Sequence, residues 1–303
     1  MHDVERLPAY SLLCHKHMGF ALGCFESFLR NCRDPIDLNI ISDGSLTKDD
    51  EAALKDALPG VAVHDAEATG EMARDALRDY PACWRAYLDN PLMRKIVDVP
   101  LLADGRAFAI VDSDVLWVRP FRGLDRRAAE SSCLTFMLEC ISTYSIRFST
   151  RYIHPRVPLV DMVNSGLLFV PAGTVRFDAM ETFLADPRHR QIPWYMEQTS
   201  WSMLARRSGS RYFDPKQVAL TWWVVNRSPG SLPDLVGVHV VSPSRHLLPQ
   251  IAEDWRRHAP EDDGPRELRT FPSHSHGIVG ASLNRISHRI RLRRWTRQGL
   301  FRN

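Results

Sequence analysis

The stretch AFAIVDSDVLWV at residues 107–118 decides the predicted fold of this chain. Its first five residues are all apolar, which predicts a strand buried on both faces, as in a parallel sheet covered by helices. Asp112 and Asp114 follow where that strand ends. Ligands of open α/β sheets bind beyond the carboxyl ends of the strands, so these two carboxylates are candidate ligands of a hard cation such as Mg²⁺ or Mn²⁺. The alternative is a pair of turn aspartates that cap the strand.

The segments before this stretch alternate between strand and helix patterns. Short apolar runs predict strands at residues 10–14, 38–42 and 61–64, and helical spacing of apolar residues predicts a helix over 17–30. Thr47, followed by Asp50 three residues later, has the pattern of a helix capping box. The alternation predicts an α/β fold with a Rossmann-like, mixed and mostly parallel sheet that is flanked by helices.

The rest of the chain has a less regular pattern. Residues 85–102 are predicted to be helical in part, with breaks at Pro91 and Pro100. The other predicted elements are strands at 163–171 and 236–241 and helices over 173–184 and within 193–206.

Charge is distributed unevenly along the sequence. The net charge is +3, yet the seven arginines from Arg285 to Arg302 have no acidic residue beside them, so this tail carries +7 and the rest −4. This distribution argues against a basic body that binds nucleic acid. We expect one large domain over 1–283, divided at about residue 120, and a basic tail at 284–303.

The tail also contains Ile286, Ile290 and Trp295. It predicts a basic helix that lies on an anionic membrane surface, or alternatively a charged helix that packs on the body. No run of about eighteen apolar residues predicts a membrane-spanning helix. The six cysteines show no C-x-x-C spacing, which predicts free thiols. The first ten residues lack the layout of a secretory signal. We therefore expect a cytoplasmic protein that docks at most on the inner face of the membrane.

The stretch AFAIVDSDVLWVRPF resembles the D-x-D segment of GT-A-fold glycosyltransferases, especially the branch with glycogenin and the bacterial galactosyltransferases of lipooligosaccharide synthesis. Other short motifs follow the order of that branch over residues 10–280. They are Lys95 one helix before the D-x-D, Asn164-Ser-Gly166, Glu197-Gln198 and His274-Ser-His-Gly277. The resemblance implies a GT-A catalytic domain over 1–283, with a nucleotide-binding part at about 8–120 and a part for the donor sugar and acceptor at about 121–283. It also implies a UDP-sugar or similar nucleotide-sugar donor, a Mn²⁺ or Mg²⁺ ion, and retention of anomeric configuration.

The resemblance also implies roles for the matched residues. Asp112, Asp114 and a late histidine would bind the metal, with His274 favoured over His276. The implied catalytic residues are Lys95, Asn164, Glu197 and Gln198, and Ser113 and Gly166 would complete the donor site. For Glu197 alone, the alternative is an ordinary salt-bridged helix residue.

Two segments depart from that branch. Thr199 stands where the family has a second acid, and the residues from Ile278 onward replace the Lys-Pro-Trp that reaches the phosphates. We therefore expect Arg94, Lys95 or an arginine of the tail to contact the diphosphate.

Residues after the first two predicted strands are candidates for the base and ribose, as in GT-A proteins. These are His15, Lys16 and Asp43. A surface His-Lys pair and a plain Asp-Gly turn are the alternatives. Trp222, Trp223 and Asn226 could form an acceptor platform, because sugars stack on aromatic faces, or the tryptophans could belong to the core.

Together these features predict a metal-dependent hexosyltransferase that moves a sugar from a nucleotide-sugar to a carbohydrate, glycolipid or protein acceptor. One alternative is a nucleotide- or carbohydrate-binding protein on the same scaffold. Another is a phosphatase of the haloacid-dehalogenase kind, whose nucleophile also lies in a strand followed by D-x-D. Those enzymes usually have the motif near the N-terminus and follow it with Thr-Leu, whereas Val115-Leu-Trp follows it here.

Overall fold

The computed structural model describes residues 5–125, 133–153, 157–225, 227–258, 264–297 and 300. Its strands are β1 (Leu7–Leu13), β2 (Ile36–Ser42), β3 (Ala62–His64), β4 (Phe108–Val111), β5 (Val115–Trp117), β6 (Phe121–Arg122), β7 (Leu134–Leu138), β8 (Val163–Val170), β9 (Ser210–Phe213), β10 (Val218–Leu220), β11 (Gly237–His239), β12 (Arg266–Glu267) and β13 (Thr270–Pro272). Its helices are α1 (Met18–Asn31), α2 (Lys48–Ala57), α3 (Ala66–Ala76), α4 (Pro81–Asp89), α5 (Arg94–Ala103), α6 (Phe148–Ile153), α7 (Phe177–Ala185), α8 (Met196–Ser208), α9 (Thr221–Val224), α10 (Leu248–His258) and α11 (Ile278–Arg297).

The central sheet joins eight of these strands in the order β13-β9-β7-β8-β4-β1-β2-β3. Strand β1 pairs in parallel with β2 and β4, and β2 pairs in parallel with β3. Strand β8 is antiparallel to its neighbours β4 and β7. The predicted mixed, mostly parallel α/β sheet is confirmed, and Asp112 follows β4 at the edge where the parallel strands end.

Helices cover both faces of this sheet. Phe108 and Ile110 of β4 belong to the core cluster beneath α5 and α8, while Ala109 and Val111 belong to the cluster beneath α1. All four side chains are buried. The apolar run that precedes Asp112 is therefore a strand with packed side chains on both faces, as its sequence predicts.

A smaller sheet of β10, β11 and β5 lies next to the end of β4. Strand β11 is antiparallel to β5, and the register places His239 opposite Val115. The Val240 N–H donates to the Asp114 carbonyl oxygen at 2.8 Å. This pairing holds His239 beside the D-x-D segment although 125 positions separate His239 from Asp114 in the sequence.

Local signals gave some element boundaries correctly and others wrongly. The capping box at Thr47 and Asp50 is confirmed, since each side chain bonds the backbone N–H of the other. Pro91 separates α4 from α5, but the predicted break at Pro100 is wrong. Pro100 lies inside α5, whose buried residues pack against the sheet on both sides of it, and the helix ends only at Ala103.

The basic tail forms α11, which begins at Ile278, six residues before the predicted start of the tail. Ala281 and Trp295 on one side of this helix are buried, and Trp295 stacks on Trp222 with ring centroids 5.1 Å apart. The helix therefore packs on the body through one face. Among the described helices, none combines the length and the apolar character needed to cross a bilayer.

Candidate active site

The two aspartates of the D-x-D segment lie in a tight turn between β4 and β5. The Asp112 N–H donates to the Gly166 carbonyl oxygen at 2.8 Å, and the Val115 N–H donates to the Asp112 carbonyl oxygen at 3.2 Å. These bonds turn both carboxylates toward the same side of the chain. The Asp114 side chain is 2% exposed, whereas 24% of the Asp112 side chain remains accessible.

His239 completes a cluster with these two carboxylates. Its Nε2 lies 3.1 Å from Asp114 Oδ1 and 3.9 Å from Asp112 Oδ2. One ligand atom from each of the three residues lies within 4.8 Å of the other two. Two carboxylate oxygens and an imidazole nitrogen suit Mg²⁺ or Mn²⁺, so the donor set fits the predicted metal.

The remaining oxygens of both carboxylates are held by cations. Lys95 Nζ lies 2.7 Å from Asp112 Oδ1, and Arg245 Nε donates to Asp114 Oδ2 at 2.7 Å. Each aspartate thus has one oxygen fixed by a basic residue and its other oxygen next to His239. Such an arrangement orients the free oxygens before any ligand arrives.

Asn164 and Glu139 orient the imidazole from behind. The Gly166 N–H donates to Asn164 Oδ1 at 2.9 Å, so this atom is an acceptor and His239 Nδ1, 3.0 Å away, is the donor. Asn164 Nδ2 in turn donates to Glu139 Oε2 at 2.8 Å. Because Nδ1 carries the proton, Nε2 is the nitrogen available as a metal ligand.

Gly166 leaves the space that the imidazole occupies. A Cβ atom at this position would lie 2.2 Å from His239 Nδ1 and 2.3 Å from its Cε1. Non-bonded atoms do not come this close, so only glycine at position 166 allows the His239 ring to lie where it does. Both outer residues of the Asn164-Ser-Gly166 motif therefore position His239: Asn164 by a hydrogen bond and Gly166 by the space it leaves.

Burial and charge act in opposite directions on this cluster. Burial alone would lower the pKa of His239, but the carboxylates of Asp114 and Asp112 raise it above the usual histidine value. Burial alone would raise the pKa of Asp114, but His239 and Arg245 hold it well below its usual range. Burial would likewise lower the pKa of Lys95, and Asp112 and Glu197 raise it. Asp114 is therefore ionised and Lys95 is charged at neutral pH.

Glu197 lies on the other side of Lys95, at the start of α8. Its Oε2 accepts a hydrogen bond from Ser165 Oγ at 3.0 Å, and its Oε1 accepts one from Trp201 Nε1 at 2.8 Å. Lys95 Nζ is 3.8 Å from Oε1. Burial raises the pKa of Glu197, and the charge of Lys95 opposes this shift.

A cavity of about 640 Å³ opens over the cluster. It brings together most of the residues that the sequence singles out, although they come from distant parts of the chain. The predicted residues that line it are Lys16, Asp43, Lys95, Asp112, Asp114, Asn164, Gly166, Glu197, Gln198 and Trp222.

Three other candidates do not line this cavity. The His15 ring contacts Asp50 Oδ2 at 2.7 Å, on the α2 side of the first loop. Arg94 is turned away and donates to Asp98 Oδ2 at 2.9 Å, so its predicted contact with a diphosphate is not supported. Ser113 is buried between the two aspartates.

The prediction that His274 binds the metal requires correction. The cluster of potential ligands formed by the described residues contains His239 and not His274. The His274 carbonyl oxygen accepts from the Asp161 N–H at 3.0 Å, and the His276 ring lies 3.3 Å from Asp161 Oδ2. Both histidines follow β13 at the edge of the sheet, four strands away from β4 in the sheet order, so they lie beside Asp161 instead of the D-x-D turn.

The two tryptophans of the predicted acceptor platform have different positions. Trp222 lines the cavity and stacks on Trp295, whereas Trp223 is 44% exposed and does not line it. Asn226 lies outside the described residues. A joint platform of the two rings is not formed.

Three residues of the site were not predicted from the sequence: His239, Arg245 and Glu139. The sequence does contain a signal for His239, which is the polar residue within the predicted apolar strand at 236–241. The basic Arg245 follows it six residues later. A histidine in an apolar strand is more often buried for packing, so the pattern alone does not reveal a ligand. For Glu139 we find no sequence signal.

No protein-family model matches this chain, and no curated protein matches it by sequence. The comparison with solved structures does find similar folds. The central sheet and the flanking helices are arranged as in solved GT-A glycosyltransferases, so the predicted resemblance is confirmed at the level of the fold.

The chain is similar to the galactosyltransferase LgtC, solved in complex with donor and acceptor sugar analogues. The identity is 12% and the TM-score 0.53, over 84% of this chain and 98% of that chain. An active-site mutant of LgtC gives 11% identity at the same TM-score of 0.53. The bifunctional glycosyltransferase WbbM, without ligand, gives 8% identity and a TM-score of 0.50, over 86% of this chain and 51% of that chain.

Proposed function

We propose that this chain is a hexosyltransferase that moves a sugar from a UDP-sugar to a carbohydrate, glycolipid or protein acceptor, using a Mn²⁺ or Mg²⁺ ion. The convergence of Asp112, Asp114 and His239 in one cavity carries the proposal. These residues would hold the ion. When bound, it would supply Lewis-acid stabilisation of the negative charge that develops on the leaving diphosphate.

Basic residues of the cavity support the binding of a diphosphate. Arg245 and Lys16 both line it, and 34% of the Arg245 side chain is accessible. We assign diphosphate contacts to these two residues. Lys95 is fully engaged by Asp112 and the oxygens of Ser165, so we infer that it acts as a positioning residue for the D-x-D turn.

The step proposed is a transfer with retention. The bond from the anomeric carbon to the diphosphate oxygen breaks, and a bond from the acceptor hydroxyl oxygen forms on the same face of the sugar. The acceptor proton passes to the departing phosphate oxygen, so no strong general base is needed. To the Glu197 carboxylate, which Ser165 and Trp201 fix by hydrogen bonds, we assign the role of stabilising the positive charge on the anomeric carbon. The anomeric coupling constant of the product, measured by NMR, tests this stereochemistry.

The C-terminal helix belongs to this site as well. His288 and Leu292 of α11 line the same cavity as the D-x-D cluster. We therefore propose that the catalytic domain extends through α11 and does not end at residue 283.

The experiment that tests the function is the substitution Asp112→Asn, which keeps the size of the side chain and removes its charge. We expect at least about a hundredfold loss of Mn²⁺ affinity and of metal-dependent release of UDP from UDP-sugars, with an unchanged circular dichroism spectrum. Asp75→Asn is the matched control, because Asp75 is exposed and forms an ion pair with the equally exposed Arg78. Wild-type turnover in Asp112→Asn would refute the metal site. Nucleotide binding without transfer to any acceptor would favour a binding protein.

We also propose that α11 docks on an anionic membrane. Opposite its body-facing side, α11 carries a solvent-facing stripe with helical spacing: Val279 (69% exposed), Leu283 (62%), Ile286 (56%) and Ile290 (65%). Exposed arginines flank this stripe, including Arg289 and Arg293. Apolar residues flanked by arginines match acyl chains beneath anionic headgroups.

Vesicle flotation tests this docking. Changing the four stripe residues to serine leaves the body-facing residues of α11 intact, and we expect it to abolish flotation with phosphatidylglycerol vesicles. Phosphatidylcholine vesicles should float little of either protein. Equal flotation of the variant and the wild type would contradict the proposal.

A further inference from the structure

A second cavity adjoins the one over the D-x-D cluster. It measures about 590 Å³ and shares the wall residues Ile141, Thr143 and Tyr195 with the first cavity. Gln198 Nε2 donates to Thr143 Oγ1 at 2.7 Å, which ties this shared wall to the residues beside Glu197. A molecule bound in the second cavity would therefore lie next to the first cavity.

The second cavity has an uncompensated positive charge. Its described lining includes Arg147, Arg151 and Arg285, and no aspartate or glutamate. Arg151 is neutralised by Asp161, whose Oδ1 lies 2.8 Å from its Nη1. Arg147 and Arg285 form no ion pair among the described residues, and both are exposed as well as lining the cavity.

Aromatic rings line the same cavity. The Arg285 guanidinium lies over the Phe148 ring at 4.7 Å from its centroid, and Tyr195 forms part of the shared wall. Aromatic faces pack against the apolar faces of sugar rings, and guanidinium groups bind carboxylate and phosphate oxygens in a planar, paired geometry. The lining therefore combines recognition of a sugar ring with recognition of an anionic group.

We propose that the second cavity binds an acceptor sugar that carries a carboxylate or a phosphate, with Arg147 and Arg285 as its anion-binding residues. The role of the bound sugar as an acceptor rests on the proposed sugar transfer. Binding of an anionic sugar in this cavity does not depend on that reaction. A uronic acid and a sugar phosphate share the chemistry that these arginines recognise.

Binding of three probes by saturation-transfer NMR and titration calorimetry tests the proposal. The probes are methyl glucuronide, glucose 6-phosphate and the neutral methyl glucoside, each measured with Mn²⁺ and UDP present. We expect both anionic probes to bind at least about tenfold more tightly than the neutral one, and Arg285→Gln and Arg147→Gln each to weaken only the anionic probes by about tenfold. Whichever anionic probe binds more tightly identifies the natural group.

Arg207→Gln is the matched control, because Arg207 lies on α8, is exposed and does not line the second cavity. We expect it to leave all three probes unchanged. Equal binding of neutral and anionic probes, or anionic binding that survives the double variant of Arg147 and Arg285, overturns the proposal. Failure of the proposed function gives a different result: loss of Mn²⁺-dependent UDP binding in the first cavity while the anionic probes still bind in the second.

Discussion

The substitution Gly166→Ala should destroy the metal site while leaving all of its candidate ligands in place. The new Cβ would lie 2.2 Å from His239 Nδ1, whereas ordinary contacts are 3.4–4 Å. The imidazole must therefore retreat by about 1 Å or more. Metal–ligand distances tolerate only about 0.2 Å, so His239 would no longer act as a ligand. The Asn164 Oδ1 to Nδ1 hydrogen bond, 3.0 Å long, would be lost with it.

The magnitude follows from these two losses. Removing an outer hydrogen bond to a ligand costs about 10- to 100-fold in metal affinity, and displacing the ligand itself adds to that. We expect Mn²⁺ affinity to fall at least a hundredfold, as measured by titration calorimetry or by the EPR signal of free Mn²⁺. Forcing a methyl group into this packed site should also cost about 1–3 kcal/mol of unfolding free energy.

Two further variants make the result specific. Gly23→Ala places the same methyl group in α1, where nothing lies within 4 Å, and should leave metal affinity unchanged. Combining Gly166→Ala with His239→Ala should destabilise the protein by less than the sum of the two single substitutions, because the clash is gone, and should not restore the metal affinity. Wild-type Mn²⁺ affinity in Gly166→Ala would show that His239 does not bind the metal.

Two more predictions concern buried titratable groups. Four thiols are buried, with the pKa of Cys32 raised by burial to about 12, so only Cys14 and Cys133 should react rapidly with Ellman's reagent. Because Cys14 lines the first cavity, UDP with Mn²⁺ should slow its modification and not that of Cys133; equal rates with and without UDP would place the nucleotide elsewhere. Burial raises the pKa of Asp98 to about 6 despite the Arg94 guanidinium, so this carboxyl binds its proton more tightly in the folded state than in the unfolded state. As the pH rises from about 4 to 7, the unfolding free energy of the wild type should therefore decrease by about 3 kcal/mol relative to that of Asp98→Asn. Urea denaturation at several pH values measures this difference. A difference that stays constant over this range would contradict the raised pKa of Asp98.

The sequence determined the features that depend on neighbours along the chain. The apolar run at 107–111 predicts a doubly covered strand because each face of that strand must be buried, and Asp112 and Asp114 must then emerge at its end. The Thr47 capping box is likewise a contact between residues three positions apart. The motifs that contain Lys95 and Glu197 could be recognised in the sequence. Their order along the chain does not show that the two side chains contact each other, as they do in the structure.

The tertiary structure decided which residues meet across the fold. His239 reaches the D-x-D turn because β11 pairs with β5, and Gly166 makes room for its ring, whereas His274 follows an edge strand and contacts the Asp161 region instead. Sequence spacing carries no information on such pairings, because register between distant strands is set by packing and hydrogen bonding of the whole sheet. The D-x-D carboxylates could therefore be identified from the sequence, but their imidazole partner only from the assembled sheet.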